Sequence, residues 1–381
     1  MVSGRGWAAV VFWLGAAGVL YPYIGYPLLL WAWARVRPRP DGSGLGGDLP
    51  SVSMILPVHN EASRLERKIE NTERLEYPRD RFEVIFISDG STDGTVDLLR
   101  RRMGPGMRVI ELPARGGKAA GLNAGLAAAQ HDILVFTDAA IELEAGAVER
   151  LVRRFAQPEI GCVSGEDRIA EAGGEGLYGR YELLLRRLET HVHSIVGASG
   201  SFYAQRRAIC RPFTEGMAPD FLSVLRTVEA GYRAISAEDA VGTMTSLSDP
   251  RREFDRKVRT LIRGMTTLFA HAHLLGPGYG LFAFALWSHK IMRWVAPFFL
   301  AVTLLAPLAL LDRPFYVVAL VAQVLFYLAA AGALAGVPGL HGGLVGKITV
   351  YFVNVHAALV AAWIKYGRGI RQEIWTPSQR P

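Results

Sequence analysis

The sequence is poor in cysteine. Cys162 and Cys210 are the two cysteines among 381 residues, and neither has a Cys-x-x-Cys partner. Structural zinc sites and disulfide frameworks need several cysteines at fixed spacings, so neither is indicated. We predict that both thiols are small buried side chains. The chain also lacks internal repeats and low-complexity tracts, which argues against a repeat architecture.

Charge is absent from the N-terminal region between Arg5 and Arg35. A helix needs about 20 apolar residues to cross a bilayer, so this run is long enough. A signal peptide is the alternative, but its apolar core usually has only about 7–15 residues. This run is longer and ends in tryptophans and arginines. It therefore predicts a retained membrane anchor over residues 1–34.

The C-terminal third contains three more charge-free stretches, at 294–311, 314–346 and 348–364. We predict three spans here and four in total. The middle stretch is interrupted by glycines and a proline at 336–343. Two shorter re-entrant pieces are therefore the alternative for that span.

Arginines cluster after the first span. One precedes it, whereas three follow it at Arg35, Arg37 and Arg39. The positive-inside rule then places the central domain in the cytoplasm of a cell with this protein in its inner or plasma membrane. Three further spans would leave the C-terminus outside, yet basic residues also follow the last span: Lys365, Arg368 and Arg371. The two inferences conflict, and the placement of the central domain is the stronger.

Short apolar runs alternate with helical patterns from residue 51 onward. Strands are predicted at 52–56, 82–87, 107–112, 133–137, 161–165 and 201–205, with helices at 60–75, 92–101, 119–129 and 220–230. Such alternation indicates βαβ units and a mostly parallel sheet, so the fold class is α/β. The predicted divisions are an anchor at 1–34, a linker at 35–50, a catalytic domain at 51–249, amphipathic interfacial helices at 250–293, membrane helices at 294–364 and a basic tail at 365–381.

The predicted interfacial helices begin with an amphipathic stretch before the membrane spans. Its apolar stripe includes Val258, Ile262 and Met265, and arginines and a lysine cover the rest of its surface. A basic face opposite an apolar stripe is typical of a helix lying in the membrane interface. An ordinary helix that faces the core is the alternative.

Polar and acidic residues follow several predicted strands. These runs are Pro57–Glu61, Ser88–Gly94, Arg115–Lys118 and Phe136–Asp138. Ligands of open α/β sheets bind at the carboxyl ends of the strands. The glycines of the basic run open a helix, whose N-terminus favours an anion. The runs therefore predict one binding site.

Together with Gly117–Asn123, Gly197–Gly200, Pro219-Asp220 and Arg256–Arg259, these runs resemble those of the membrane-embedded family 2 glycosyltransferases. The resemblance covers residues 51 to 263 and is to the branch that includes cellulose, chitin, hyaluronan and poly-N-acetylglucosamine synthases. It implies a GT-A fold, inverting chemistry and a UDP-sugar donor.

The resemblance also implies roles for individual residues. Asp220 is the expected catalytic base, which would accept the proton of the attacking hydroxyl. An N-cap of the following helix is its structural alternative. Donor binding is expected from Pro57, Glu61, Asp89, Arg115, Lys118 and Asp138, with Asp89 on the uridine. Acceptor or diphosphate contacts are expected from Glu166, Asp167, Arg256 and Arg259. For the two arginines, anionic lipid is an equal alternative.

Three departures from the family pattern qualify these expectations. Ala140 stands where such enzymes have the second acidic residue of Asp-x-Asp, so Asp138 is the expected ligand of a divalent metal, Mg²⁺ or Mn²⁺, that binds weakly. Pro219 replaces the first acidic residue of the motif that carries the base. Thr260 replaces the tryptophan of Gln-x-x-Arg-Trp, which makes processive elongation a weaker expectation than sugar transfer.

The predicted function is inverting transfer of a sugar from a UDP-sugar to a polysaccharide or a lipid-linked acceptor. Two alternatives remain open. One is a nonprocessive polyprenyl-phosphate glycosyltransferase, and the other is a catalytically silent membrane subunit that binds nucleotide sugar. The expected partners are the donor, the acceptor and the bilayer, with polysaccharide-export proteins as candidates and no nucleic acid.

Overall fold

The computed structural model describes residues 4–36, 48–169, 174–244 and 250–371. Most of the predicted linker, including Arg37 and Arg39, and the end of the basic tail lie outside this part of the chain. The strands are β1 Val52–Val58, β2 Phe82–Asp89, β3 Met107–Leu112, β4 Ile133–Thr137, β5 Glu142–Leu143, β6 Ile160–Ile169, β7 Phe202–Arg206 and β8 Arg233–Met244.

Helices flank this sheet and form the two ends of the chain. They are α1 Gly4–Leu20, α2 Tyr26–Val36, α3 Ala62–Glu73, α4 Thr95–Arg102, α5 Gly117–Ala128, α6 Ala147–Val152, α7 Gly174–Val192, α8 Pro219–Glu229, α9 Pro250–Ala270, α10 Gly280–Ala285, α11 Met292–Leu305, α12 Pro314–Leu334 and α13 Leu344–Gly367. π-Helical turns join α1 to α2 (Tyr21–Gly25) and α10 to α11 (Leu286–Ile291).

The strands form one sheet in the order β3-β2-β1-β4-β7-β6-β8-β5. The first four strands in this order are parallel. β7 runs antiparallel to both its neighbours, β6 and β8 are parallel, and β5 closes the edge antiparallel to β8. The α/β prediction is confirmed. The sequence reasoning missed β5, α6, α7 and β8.

Side chains alternate between two hydrophobic cores across the sheet. Met54 and Leu56 face one core, which includes Leu65 and Ile69 of α3. Ile55, between them, faces a second core that continues into the membrane helices through Tyr26, Leu30 and Ala358. Successive side chains of a strand point to opposite faces, and burial on both faces explains the uninterrupted apolar runs. The sheet domain and the apolar helices from the two ends of the chain thus share a core.

Four helical segments are long and apolar enough to cross a membrane: Arg5–Val36, Pro277–Ala309, Pro314–Leu334 and Leu344–Gly367. This agrees with the four predicted spans. The boundary predicted at 294, however, falls inside the second segment, which begins at Pro277. Polar residues at 287–290 suggested an interfacial helix, but Ser288 and His289 are buried against the protein. The third span is a single helix that ends before the break at 336–343, not two re-entrant pieces.

The helix α9 packs against α13. Phe269 contacts Trp363 and Tyr366 through ring pairs, and the Lys257 ammonium lies 4.7 Å from the Tyr351 ring centroid. Val258, Ile262 and Met265 of its apolar stripe are buried in the protein core. Of the two alternatives for this helix, the structure therefore favours the one that faces the core.

Candidate active site

A cavity of about 420 Å³ lies at the carboxyl ends of β1 and β4, bounded by the N-terminus of α8 and by α9. Eight of the eleven site residues predicted from the sequence line it: Pro57, Glu61, Lys118, Asp138, Asp167, Asp220, Arg256 and Arg259. Asp89, Arg115 and Glu166 are not among its lining residues. The strand-end argument thus located the site, because the ends of parallel strands meet at one edge of the sheet.

Lys118 connects three elements at the centre of the cavity. Its ammonium donates to Oδ1 of Asp138 at 2.5 Å and to the carbonyl of Gly200 at 3.1 Å. Lys118 lies in the first turn of α5, and Asp138 directly follows β4. A cation is therefore held beside the one acidic side chain that remains of the expected metal motif.

Asp89 organises the glycine-rich loop. Its Oδ1 accepts from the backbone N–H of Gly116 at 2.7 Å and its Oδ2 accepts from that of Gly117 at 2.8 Å. Gly117 has φ +83°, and at Gly90, with φ +60°, a Cβ would lie 2.6 Å from the backbone nitrogen of Arg115. Both carboxylate oxygens of the predicted uridine ligand are thus engaged within the protein, where they fix the start of α5.

The loops after β1 and β2 are tied together by polar side chains. Asn60, with φ +53°, accepts the backbone N–H of Thr92 at 2.8 Å through its side-chain oxygen. Asp93 accepts from the backbone N–H of Ala62 at 3.1 Å. Glu61 occupies the N-cap position of α3 and makes no side-chain capping hydrogen bond there. The contacts of Asn60 and Asp93 hold the start of α3, and with it Glu61, at the edge of the cavity.

Glu61 is buried and pairs with Arg64, whose Nε lies 3.0 Å from its Oε2. Burial raises the pKa of the Glu61 carboxyl, Arg64 opposes the rise, and the carboxylates of Asp138 and Asp93 add to it. Negative charge is therefore already costly at this end of the cavity, which favours a ligand that brings a cation.

Two residues of α3 that sequence reasoning missed hold the segment that carries Asp138. The buried Lys68 ammonium donates to the carbonyl of Ile141 at 2.7 Å and lies 3.4 Å from the hydroxyl of Thr137. Asn71 exchanges two hydrogen bonds with the backbone of Leu143, at 2.8 and 3.0 Å. Lys68 falls beside Leu65 and Ile69 on the apolar face of α3, and a lysine on such a face was the available signal.

Asp220 is the second residue of α8, after Pro219 and the N-cap Ala218. It lines the cavity, and a Cβ on Gly200 would lie 3.9 Å from its carboxyl carbon. The structural alternative for Asp220 was an N-cap, which in this helix is Ala218. The Asp220 carboxylate thus lies at the cavity near Gly200, whose carbonyl accepts a hydrogen bond from Lys118.

The acidic pair on β6 divides between two faces of the strand. Glu166 is fully buried, with Arg187 at 3.1 Å and Arg168 at 3.5 Å from its carboxylate. Asp167 lines the cavity, 3.5 Å from Arg186. Because neighbouring side chains of a strand point to opposite faces, only one of the pair reaches the site. The acceptor role predicted for Glu166 lacks the access that Asp167 has.

Basic side chains of α9 complete the cavity. Arg256 and Arg259 both line it, together with Arg263, which donates to the carbonyl of Met217 at 2.6 Å. Burial lowers the pKa of Arg259, and the charge of Arg256 adds to this effect. Two guanidinium groups on one wall of the cavity favour an anionic ligand there.

A polar cluster from the second apolar segment borders the same cavity. His289 Nε2 lies 3.1 Å from Glu182 and its Nδ1 lies 2.7 Å from Glu189, while Arg293 pairs with the other oxygen of Glu182. Burial opposes ionisation of Glu182, yet Arg293 and His289 hold the pKa of its carboxyl well below the usual range. Ionisable residues in an otherwise apolar segment were the signal for this cluster.

Asp138 is the cavity carboxylate that could bind a divalent metal. No group of three or more potential ligands occurs in the described part of the chain. Mg²⁺, however, is often held by one or two protein carboxylates with substrate phosphates and water. The side chain of Asp138 is 22% exposed, and only its Oδ1 is engaged by Lys118. The residues fit a metal that a bound diphosphate helps to ligate.

Comparison with solved structures defines the fold as GT-A. The mannosyltransferase PcManGT from Pyrobaculum calidifontis, solved in complex with GDP-Man and Mn²⁺, is similar over 94% of this chain and 98% of its own, with a TM-score of 0.73 and 24% identity. The predicted fold, including the flanking apolar helices, is confirmed.

Residues 53–211 match the glycosyl transferase family 2 model. The chain is 30% identical over 179 residues to a β-monoglucosyldiacylglycerol synthase from Synechocystis sp., which is 43% of this chain and 37% of that protein. It is 29% identical over 124 residues to the poly-β-1,6-N-acetyl-D-glucosamine synthase of Staphylococcus aureus, 32% of this chain and 30% of that one. The chain spans about a third of the length of these curated relatives. The part of the chain at residues 53–211 thus matches a family 2 glycosyl transferase domain, as the motifs predicted.

Proposed function

We propose that this chain is an inverting glycosyltransferase that moves a sugar from a UDP-sugar to a polysaccharide or a lipid-linked acceptor. The observation that carries the proposal is the placement of the Lys118–Asp138 pair and Asp220 around one cavity at the strand ends. The pair is suited to the diphosphate of the donor, and the carboxylate of Asp220 to the acceptor hydroxyl.

In this reaction the acceptor hydroxyl attacks the anomeric carbon while Asp220 accepts its proton. The bond from that carbon to the diphosphate oxygen breaks, and the diphosphate leaves with the electron pair. Attack from the face opposite the leaving group inverts the anomeric configuration. A positioned base typically contributes about 10²- to 10⁴-fold to such a step.

The leaving group develops negative charge, which Lys118 is placed to offset. A divalent metal held by Asp138 and the diphosphate would supply further Lewis-acid stabilisation when bound. Arg256 and Arg259 provide additional positive charge on the α9 side of the cavity. Asp89 contributes indirectly, since it fixes the backbone from which Lys118 projects.

The identity of the donor sugar nucleotide is the first property to test. Purified protein in detergent is incubated with a panel of UDP-sugars and with GDP-mannose, because the similar mannosyltransferase was solved with GDP-Man. Release of UDP, with an inverted anomeric centre in the product, supports the proposal. Release of GDP from GDP-mannose, with no release of UDP from the UDP-sugars, would show that the donor nucleoside is guanosine and not uridine.

A catalytically silent nucleotide-sugar-binding subunit is the second candidate function, since Ala139 and Ala140 follow Asp138 where a further carboxylate is expected. Hydrolysis of the donor distinguishes an active transferase from a silent subunit. Binding of UDP without release of nucleoside diphosphate from any donor of the panel would favour the silent subunit and contradict the proposal of an enzyme.

We further infer that the catalytic domain faces the cytoplasm. A polymeric product would then be made inside the cell and would need partner proteins for its export. The test is a Pro105→Cys variant, whose new thiol lies in an exposed turn. A membrane-impermeant maleimide should label it in opened membranes and not in intact cells. Equal labelling of intact cells would reverse the orientation.

A further inference from the structure

A second chamber of about 410 Å³ adjoins the active-site cavity. Ten residues line both spaces, among them Asp167, Arg186, Arg256 and Lys290. The two spaces are therefore neighbours that share a wall of side chains. A ligand in the chamber would present one end to the cavity where Asp220 lies.

The far wall of this chamber is apolar and belongs to a membrane helix. Val355, Ala358 and Leu359 of α13 line it, and α13 is one of the four segments apolar enough to cross a bilayer. Ala358 and Leu359 are buried. The chamber thus extends from the polar cavity to an apolar surface of a helix that is able to cross a membrane, which suits a ligand with one polar and one apolar end.

Lys290 is a cation of this wall that no carboxylate of the described residues contacts directly. Arg293 pairs with Glu182, Arg186 faces Asp167 at 3.5 Å, and Lys257 pairs with Glu253. The carboxylates of Glu182 and Glu189 act on the Lys290 charge from a distance, without a hydrogen bond or an ion pair. The ammonium lies 5.3 Å from the centroid of the Phe221 ring. A cation in an apolar segment generally has an anionic partner or a functional role.

The position of Lys290 places this charge next to the reaction site. It belongs to the π-helical turn Leu286–Ile291, and such turns are frequent at functional sites. A Cβ on Gly197 would lie 3.3 Å from its Nζ. Phe221, over which the ammonium lies, directly follows Asp220. An anion bound to Lys290 would hold the rest of its molecule within reach of the proposed base.

We propose that the chamber binds the acceptor as a membrane lipid with a phosphate in its head group, the phosphate on Lys290 and the apolar tail along Val355, Ala358 and Leu359. This inference rests on the proposed function and names its acceptor class. The phosphate is a binding group here, and the nucleophile remains the head-group hydroxyl that loses its proton to Asp220. A neutral glycan chain would leave the Lys290 ammonium without a direct anionic contact, so this group favours the lipid phosphate.

The test uses the full chain in detergent and farnesyl phosphate as the probe, with farnesol and inorganic phosphate as the two partial ligands. Farnesyl phosphate should bind at least about 10-fold more tightly than either, because only it fills both ends of the chamber and pairs the charge. It should also compete with a lipid-linked acceptor. Equal binding of farnesol would overturn the phosphate site, and equal binding of inorganic phosphate would overturn the lipid tail.

Two variants separate the ends of the chamber. Lys290→Met should weaken binding of farnesyl phosphate about 10- to 100-fold, and Lys290→Arg should restore most of it. Ala358→Trp fills the apolar end and should weaken farnesyl phosphate without changing the binding of inorganic phosphate. Lys347→Met, an exposed lysine of the same helix that lines neither space, is the matched control and should bind as the wild type does.

Thermal unfolding of each variant shows whether it is folded. Unchanged farnesyl phosphate binding in folded Lys290→Met and Ala358→Trp would overturn the inference. Donor hydrolysis is measured in the same wild-type sample, so the two proposals fail in different ways. Absence of hydrolysis with every donor contradicts the proposed function, whereas hydrolysis with unaltered lipid binding in the variants contradicts only the acceptor assignment.

Discussion

The ammonium of Lys118 donates a hydrogen bond of 2.5 Å to Oδ1 of Asp138. This pair joins the first turn of α5 to the end of β4, and its members are 11% and 22% exposed. We expect a donor diphosphate that enters the cavity to attract the Lys118 ammonium in place of Asp138. The Asp138 carboxylate would then be free to bind a divalent metal.

We therefore expect Lys118→Met to lower turnover by about 10²-fold or more, because it removes a cation aimed at the leaving group. The Michaelis constant for the donor should change less than turnover. Initial rates at varied donor concentration measure both quantities. Lys365→Met, an exposed lysine at the end of α13, is the control and should leave both unchanged. A variant with normal turnover and weak donor binding would assign Lys118 to ground-state binding alone.

The affinity of the protein for a divalent metal should be low in the absence of nucleotide. Ala140 lines the cavity where the resemblance leads one to expect a second carboxylate, so Asp138 alone offers little affinity. Titration with EDTA and then Mn²⁺, with and without UDP, measures this. Ala140→Asp should increase Mn²⁺ affinity most in the absence of UDP. Tight stoichiometric binding of Mn²⁺ to the nucleotide-free wild type would contradict the expectation.

Asp220→Asn should reduce turnover by about 10²-fold or more and leave UDP binding almost unchanged, since the amide keeps the size of the side chain and cannot accept the proton. Calorimetry with UDP and initial rates separate the two effects. Asp167→Asn is the matched comparison, because Asp167 lines the same cavity. A larger loss of turnover in Asp167→Asn than in Asp220→Asn would move the role of base to Asp167.

Asp89→Ala should weaken UDP binding through the loop that it holds. Its two hydrogen bonds to the N–H groups of Gly116 and Gly117 are charge-assisted, and each is worth about 1.5–3 kcal/mol. Asp89→Asn retains an acceptor for one of them and should lose less affinity. Calorimetry with UDP measures both variants. Unchanged affinity in Asp89→Ala would show that the loop keeps its form without the carboxylate.

The strand-end motifs were predictable because they depend on local order. Residues that follow parallel strands converge at one edge of the sheet, and for this reason the order of the strands predicted that Asp138 and Lys118 lie close together. The long stretches without charged residues likewise predicted the positions of the apolar helices. These features need no knowledge of how distant parts of the chain pack.

The missed features depend on tertiary contacts. Lys290 resembled an interfacial lysine, and only its packing beside Phe221 reveals a position in the site. Glu166 and Asp167 were equivalent in the sequence because the register of β6 decides which of them is buried against arginines. The expected contact of Asp89 with the nucleotide stays a prediction, but its spacing did not indicate that both its oxygens accept from backbone N–H groups 27 and 28 residues away. Sequence periodicity does not encode such long-range hydrogen bonds.

Lys68 provides a prediction about stability and pH. Burial lowers the pKa of its ammonium group to about 7, against an ordinary value of 10.5, while Asp138 and Glu142 oppose the shift. Between these two values the unfolded chain binds a proton that the folded protein lacks. Stability must therefore rise with pH across this window, and below about pH 7 the cost of burying the charge is fully present.

The comparison is with Lys68→Met, which keeps an unbranched side chain and cannot titrate. Thermal unfolding midpoints of both proteins in detergent at pH 6, 8 and 9.5 should shift in favour of the wild type as the pH increases, and Lys347→Met should show no such trend. Because Lys68 donates to the backbone of the segment that carries Asp138, Lys68→Met should also raise the Mn²⁺ concentration needed for activity. A stability difference that is constant across pH 6, 8 and 9.5 would show that Lys68 keeps its charge when buried, stabilised by Asp138 and Glu142.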